Sequence, residues 1–131
     1  TIINILKMDR EKLKALYTEY GLNESDVFVQ KLGGKSIPTV TRTGVEKIQG
    51  KLKVKLTYNL EAISDNHNCV VVKCIGTNAN GETLVESYGE ASPDNCKQKY
   101  PVAMAEKRAK ARVVLQIAGF YQQGHYSEDE F

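Results

Sequence analysis

Residues 87–119 read SYGEASPDNCKQKYPVAMAEKRAKARVVLQIAG, and this stretch decides the architecture. A strand end, a turn and a long alanine-rich helix follow one another in it. Alanine is the best helix former, and its small side chain lets a helix lie close to a sheet. Ser92-Pro93 has the makings of a helix start, with serine as N-cap and proline at the first helical position. Pro101 restarts or kinks that helix, no breaker follows as far as Ala118, and Gly119 ends it. On a helical wheel Met104, Ala111, Leu115 and Ala118 form one apolar stripe, Val102, Ala109 and Val113 a second, and Arg108 and Arg112 lie between them. Ala105 and Ala109 are the expected points of close approach where the helix crosses a sheet.

The sheet is legible upstream. Leu52, Val54, Leu56, Tyr58 and Leu60 alternate with Lys51, Lys53, Lys55, Thr57 and Asn59, the period of a strand with one apolar and one polar face. Five polar residues, Ser64 to Asn68, make a turn, and valine-rich Cys69 to Thr77 reads as a second strand. Asn80-Gly81 signals a two-residue type I′ hairpin loop, and Thr83 to Gly89 follows as the third strand. These loop lengths set Leu60 opposite Val72, Asn59 opposite Lys73, Lys73 opposite Tyr88 and Cys74 opposite Ser87. One face then gathers Leu52, Val54, Leu56, Tyr58, Val70, Val72, Cys74 and Val85. The other gathers Lys51, Lys53, Lys55, Lys73, Glu86 and Tyr88.

Residues 1–50 read as a helical segment. Asp9 is the expected N-cap of a short helix bearing Leu13, Leu16, Tyr17 and Tyr20 and closed by Gly21. A short turn from Asn23 ends at Gly33-Gly34. Pro38 and residues 41–44 mark a connection, after which Val45 and Ile48 suggest one more helical turn. The chain is thus expected to be one α+β domain over residues 1–131. It comprises an N-terminal helical segment (1–50), a β-β-β-α core (51–121) with the long helix on the apolar face of an antiparallel meander, and an acidic tail (122–131).

A chain of 131 residues, 41% hydrophobic and 26% charged, suits a single globular domain with a real core. No apolar run approaches the roughly 18 residues that span a bilayer, and no signal-peptide pattern opens the chain, so a cytoplasmic protein is expected. Cys69, Cys74 and Cys96 lack metal-ligand spacing and read as reduced, buried thiols. The net charge of +2 is unevenly spread. Six cations against three acids over 42–81 and six against one over 96–127 flank a stretch, 82–95, that has four acids and no base.

Several constellations invite a polyanion. Lysines 51, 53 and 55 on one strand face would stand roughly 6.5–7 Å apart, a spacing that suits successive phosphates; an edge strand guarded by lysines has the same pattern. Lys73 beside Tyr88 pairs a cation with an aromatic that can stack a base. Arg108 and Arg112, one turn apart, could reach DNA together or satisfy carboxylates such as Glu86 and Glu90. Lys97 and Lys99 precede the long helix. No Gly-rich phosphate loop, nucleophile elbow or metal-ligating spacing occurs, so no catalytic residue, cofactor or metal is assigned and the chain reads as a non-enzyme.

Tyr88-Gly-Glu-Ala followed by Pro101-x-Ala-Met-Ala-Glu-Lys-Arg-Ala-x-x-Arg112 resembles the helix of phage single-strand annealing proteins, the Erf and Rad-type recombination superfamily. The resemblance implies a β-β-β-α order and a bacterial or phage-infected cell. It also implies homo-oligomeric rings or filaments on single-stranded DNA that pair complementary strands without ATP. Lys51, Lys53, Lys55, Lys73, Tyr88, Lys97, Lys99, Arg108 and Arg112 are the nucleic-acid-binding candidates. The acidic end, Ser127 to Phe131, is similar in style to the tails of bacterial single-strand binding proteins and is a candidate docking tail for a protein partner, or a frayed, solubilising end. Two other readings compete. One is a small assembly or adaptor module of a phage or mobile element. The other is a double-stranded RNA-binding module, which shares the β-β-β-α order and places cations where Lys97 and Lys99 stand.

Overall fold

The computed structural model describes residues 2–97 and 99–131, with the backbone alone over 2–10. The fold is α+β, with the elements α1 (Ile2–Glu19), β1 (Val27–Leu32), β2 (Lys35–Val40), α2 (Arg42–Leu52), β3 (Lys55–Ile63), β4 (Val70–Thr77), β5 (Thr83–Ala91), α3 (Pro101–Ala118) and β6 (Tyr126–Ser127). β3, β4 and β5 form an antiparallel meander; β1, β2 and β6 form a second small sheet in which β6 runs parallel to β2.

The long helix holds the two sheets together because it is apolar on two sides. Met104, Ala105, Ala109 and Val113 pack on Val70, Val72, Cys74 and Ala91 of the meander. Ala111, Val114, Leu115 and Ala118 pack on Tyr20, Val40, Val45, Ile48 and Phe120. The two stripes expected from the wheel are present with altered membership: Met104 turns to the sheet, and Val102 is exposed. Ala105 and Ala109 are fully buried at the crossing. Opposite them lies Gly89, where an added Cβ would stand 2.1 Å from the Ala105 carbonyl oxygen.

The expected register holds: Leu60 opposes Val72, Asn59 opposes Lys73, Lys73 opposes Tyr88 and Cys74 opposes Ser87. The expected turn does not. Gly81 has φ +80, but Asn80 is not left-handed. The loop runs instead from Asn78 to Glu82, with the Asn78 side chain accepting from the amides of Asn80 and Glu82. A register shift at Gly76/Thr77 restores the pairing. The two-residue turn with both positions left-handed is at Gly33 (φ 54) and Gly34 (φ 81), joining β1 to β2. The short turn expected from Asn23 is present as a 3-10 turn over Glu24–Asp26 capped by the Asn23 side chain, but the residues from Val27 onward form that hairpin.

Three further boundaries move. Helix α1 starts at Ile2, so Asp9 lies inside it and is no cap. Ser92-Pro93 opens only a single turn, Cys96 N–H donating to the Ser92 carbonyl, and the helix proper begins at Pro101. Helix α2 runs through Lys51 and Leu52 and ends on Lys53, left-handed at φ 54, so β3 begins at Lys55. The reason is that Leu52 fits both periods. It continues the strand alternation, but it also follows Val45 and Ile48 at helical spacing, and the helix turns that row toward the α1–α3 core, with Val45 and Ile48 buried and Leu52 partly buried. The expected ladder of Lys51, Lys53 and Lys55 on one strand therefore does not form.

The C-terminal segment is part of the fold. His125 is fully buried among Tyr17, Phe120 and the Gln123 carbonyl. Its Nδ1 donates to that carbonyl at 3.2 Å, which leaves Nε2 to accept from the Tyr17 hydroxyl at 2.7 Å. Burial pushes the His125 pKa below its usual value. Stability is then complete above about pH 6.5 and falls as the pH drops, because the unfolded chain takes up a proton that the fold resists. The loss amounts to at most about 1.4 kcal/mol per pH unit. The melting midpoint of the parent should fall between pH 7 and 5, and that of His125→Gln should stay flat there. Parallel slopes for the two proteins would refute this role.

Candidate nucleic-acid interface

Helix α3 covers one face of the meander and leaves the other open. Because side chains alternate along a strand, the observed register assigns Lys55, Thr57 and Asn59 of β3, Lys73 of β4, and Glu86 and Tyr88 of β5 to that open face. Asn59, Lys73 and Tyr88 form one rung across three strands. Lys73 Nζ lies 5.9 Å from the centroid of the Tyr88 ring and 3.2 Å from Glu86 Oε2. The hydrogen bond to Glu86 and its charge hold the Lys73 ammonium above the usual lysine range, so it is charged at any physiological pH. Tyr88 is 49% exposed, with the Lys73 ammonium over its ring.

The arginines behave differently. Arg108 is 3% exposed, and its guanidinium donates to the carbonyls of Glu90 (2.8 Å), Asn95 (2.6 Å) and Asp129 (2.7 Å) and to Asn95 Oδ1 (3.0 Å). Arg112 takes Glu130 in a two-pronged pair at 2.7 and 2.8 Å, Glu90 at 2.9 and 3.0 Å, and the Tyr88 carbonyl at 2.6 Å. Those carboxylates hold the Arg112 guanidinium even further above its ordinary value, and Arg112 in turn holds Glu90 below the carboxylate range. Arg42 binds Asp129 at 2.6 Å and, through its amide, Glu128 at 2.7 Å. Of the two readings open for Arg108 and Arg112, the structural one describes these contacts: both are committed to the fold. The same contacts correct the docking-tail expectation, since Glu128, Asp129 and Glu130 are the carboxylates and carbonyl that these three arginines hold.

The structure thereby sorts the cations. Arg42, Lys47, Arg112 and Lys110 are paired, the last with Glu46. Among the described residues Lys51, Lys53, Lys55, Lys97, Lys99 and Lys107 form no ion pair. Lys51 and Lys53 close α2 and Lys55 opens β3, so the three share a corner rather than a line. Lys97 and Lys99 are exposed in the connection to α3. Lys99 lines a cleft of about 760 Å3 together with His67, Asn68, Tyr100 and Val102. At its rim Lys107 Nζ sits 5.8 Å from the Tyr100 ring centroid. This second lysine–tyrosine pair was missed from sequence; the seven-residue spacing, two turns of helix, was the signal available.

Cys74 is buried under α3, and burial pushes its thiol up to about 11. Cys96 is buried, and Cys69 is exposed, contrary to the expectation of three buried thiols. No group of three or more metal-ligating side chains occurs among the described residues, and no described helix is long and apolar enough to cross a membrane. Comparison with protein-family models, with curated proteins and with solved structures gives no match.

Proposed function

We propose that the open face of the β3-β4-β5 sheet binds single-stranded DNA, and that several copies acting together pair complementary strands without ATP. The observation that supports the binding half is the Lys73–Tyr88 pair on a helix-free, solvent-open sheet face. An exposed tyrosine offers a stacking surface worth about 1–3 kcal/mol per base, and an adjacent ammonium can hold the phosphate of the same nucleotide. Lys55, on the same face and unpaired, extends the path toward Lys51 and Lys53. The annealing half follows from the resemblance of residues 87–119 to single-strand annealing proteins. A face this small spans only a few nucleotides, so useful affinity calls for multivalent display along the strand.

Salt-titrated binding to a single-stranded oligonucleotide tests the reading. Lys55→Gln with Lys73→Gln should flatten the dependence of log affinity on log salt by about 1.4, at roughly 0.7 per phosphate contact. Tyr88→Ala should weaken binding by about 1–3 kcal/mol at any salt. Glu86→Gln should strengthen it, because Lys73 then has no intramolecular competitor for phosphate. Unchanged affinity and slope in these folded variants would remove the open face from the site. Tighter binding of duplex RNA than of single strands would favour the RNA-binding module, and no binding to any nucleic acid would favour the adaptor.

A further inference from the structure

The β1–β2 hairpin and the outer edge of β3 are both open. Among the described residues β1 is hydrogen-bonded only to β2 and β3 only to β4, so each presents a row of unpaired backbone groups. Long open edges are ordinarily blunted by charge, proline or a covering element. Here they carry exposed apolar side chains as well as charge. On β1, Phe28, Val29 (57% exposed) and Leu32 face solvent, and on β3 so do Tyr58, Leu60 (56% exposed) and Ile63. Helix α3 packs on β4 and β5 and leaves this margin of β3 uncovered.

We infer that these two edges are the complementary halves of a contact between copies of the chain, β1 of one copy adding to β3 of the next in parallel. The inference rests on the multimeric half of the functional reading, and names the surface that builds the multimer. Charge favours the parallel direction. Residues 27–40 carry Lys31 and Lys35 and no acid, whereas β3 begins with Lys55, carries Glu61 two residues before its end at Ile63, and is followed by Asp65. None of Lys31, Lys35, Glu61 and Asp65 forms an ion pair among the described residues. Parallel pairing with Phe28 on Tyr58 sets Lys31 at Ala62, beside the bulged Glu61; antiparallel pairing with the same apolar contacts would set it opposite Asn59 instead, while Lys35, on β2 opposite Leu32, lies off this edge.

The apolar spacing agrees with the parallel register. Phe28 and Leu32 share a face of β1, four positions or about 13 Å apart. Tyr58, Leu60 and Ile63 share the helix-side face of β3, because the register shift between Leu60 and Ala62 absorbs one residue. Tyr58 and Ile63 are therefore also four pleat positions apart, and Phe28 meets Tyr58 as Leu32 meets Ile63. The contact joins two different surfaces, so it propagates head to tail into a ring or a filament.

Light scattering of the DNA-free protein across a concentration series tests the assignment. The parent should exceed its 14.6 kDa monomer mass. Lys31→Glu alone and Glu61→Lys alone should each raise the concentration needed for assembly on the order of tenfold, through like-charge contacts. The double reversal should restore it, and Leu60→Asp should leave a folded monomer by circular dichroism. A parent that is monomeric at every concentration, or a double reversal no better than the singles, overturns the proposal. Neither result touches the binding face, because Lys55→Gln with Lys73→Gln alters salt-dependent DNA binding at an unchanged assembly state.

Discussion

Replacing Arg108 by methionine is expected to lower the thermal midpoint by about 10–20 °C, the largest effect of any cation in the chain. Methionine fills a similar volume but donates nothing. The carbonyls of Glu90, Asn95 and Asp129 and the Asn95 side chain would each lose a charge-assisted hydrogen bond in a site that is 3% exposed. Each such bond is worth about 1.5–3 kcal/mol, and the losses are not additive, so about 3–5 kcal/mol is the reasonable total. At this chain length 1 kcal/mol moves the midpoint by roughly 3–5 °C. Because Arg108 ties β5, the 92–95 turn and the C-terminal segment to one helix position, the variant should also expose residues 125–131 to proteolysis. Lysine should not rescue it, since one ammonium cannot reach three directions at once. A variant that melts within a degree or two of the parent but binds DNA poorly would instead make Arg108 a phosphate ligand.

The meander and α3 were legible because their signals are local and redundant. Alternation, turn residues and loop lengths all specify one register, and a one-residue slip would turn Val70, Val72 and Cys74 outward. The β1–β2 hairpin was not legible, because Val27 to Leu32 does not alternate apolar with polar residues and neither face is fully buried. The start of β3 was misread where Leu52 satisfies both a helical and a strand period. Contacts made across the chain decided that case, α2 being held against α3 by Val45 and Ile48.

The candidate site divides in the same way. Lys73 and Tyr88 could be paired from loop length alone, as two residues on neighbouring strands. The fate of Arg108 and Arg112 depends on a segment some twenty residues away that folds back beside β2. In sequence that segment is three acids and a terminal phenylalanine, indistinguishable from a frayed tail. Only the parallel bridge of Thr39 with Tyr126 and Val40 with Ser127 brings the carboxylates to the arginines.

The second large effect belongs to a residue without a side chain. Gly89→Ala is expected to destabilise by more than about 3 kcal/mol, above the usual range for an overpacked methyl. The new Cβ would stand 2.1 Å from the Ala105 carbonyl oxygen, 2.4 Å from the Ala109 nitrogen and 3.0 Å from the Ala109 Cα. All three are backbone atoms of α3, so no rotamer change relieves the clash and the helix must withdraw by an ångström or more. Withdrawal loosens contacts along the whole buried row from Met104 to Val113. Ala109→Leu attacks the same contact from the other side and should cost about 1–3 kcal/mol or somewhat more. Gly50→Ala is the control: nothing lies within 4 Å of its added Cβ, and it sits inside α2, so the same change should stabilise by about 0.5–1 kcal/mol. Denaturant melts should therefore show Gly89→Ala and Ala109→Leu less stable than the parent and Gly50→Ala more stable. A Gly89→Ala protein as stable as the parent would mean that α3 does not ride on β5 as closely as 2.1 Å implies. The open face lies on the far side of β5 from this contact. Gly89→Ala should accordingly lower stability while leaving the salt dependence of DNA binding intact at temperatures where the variant is folded.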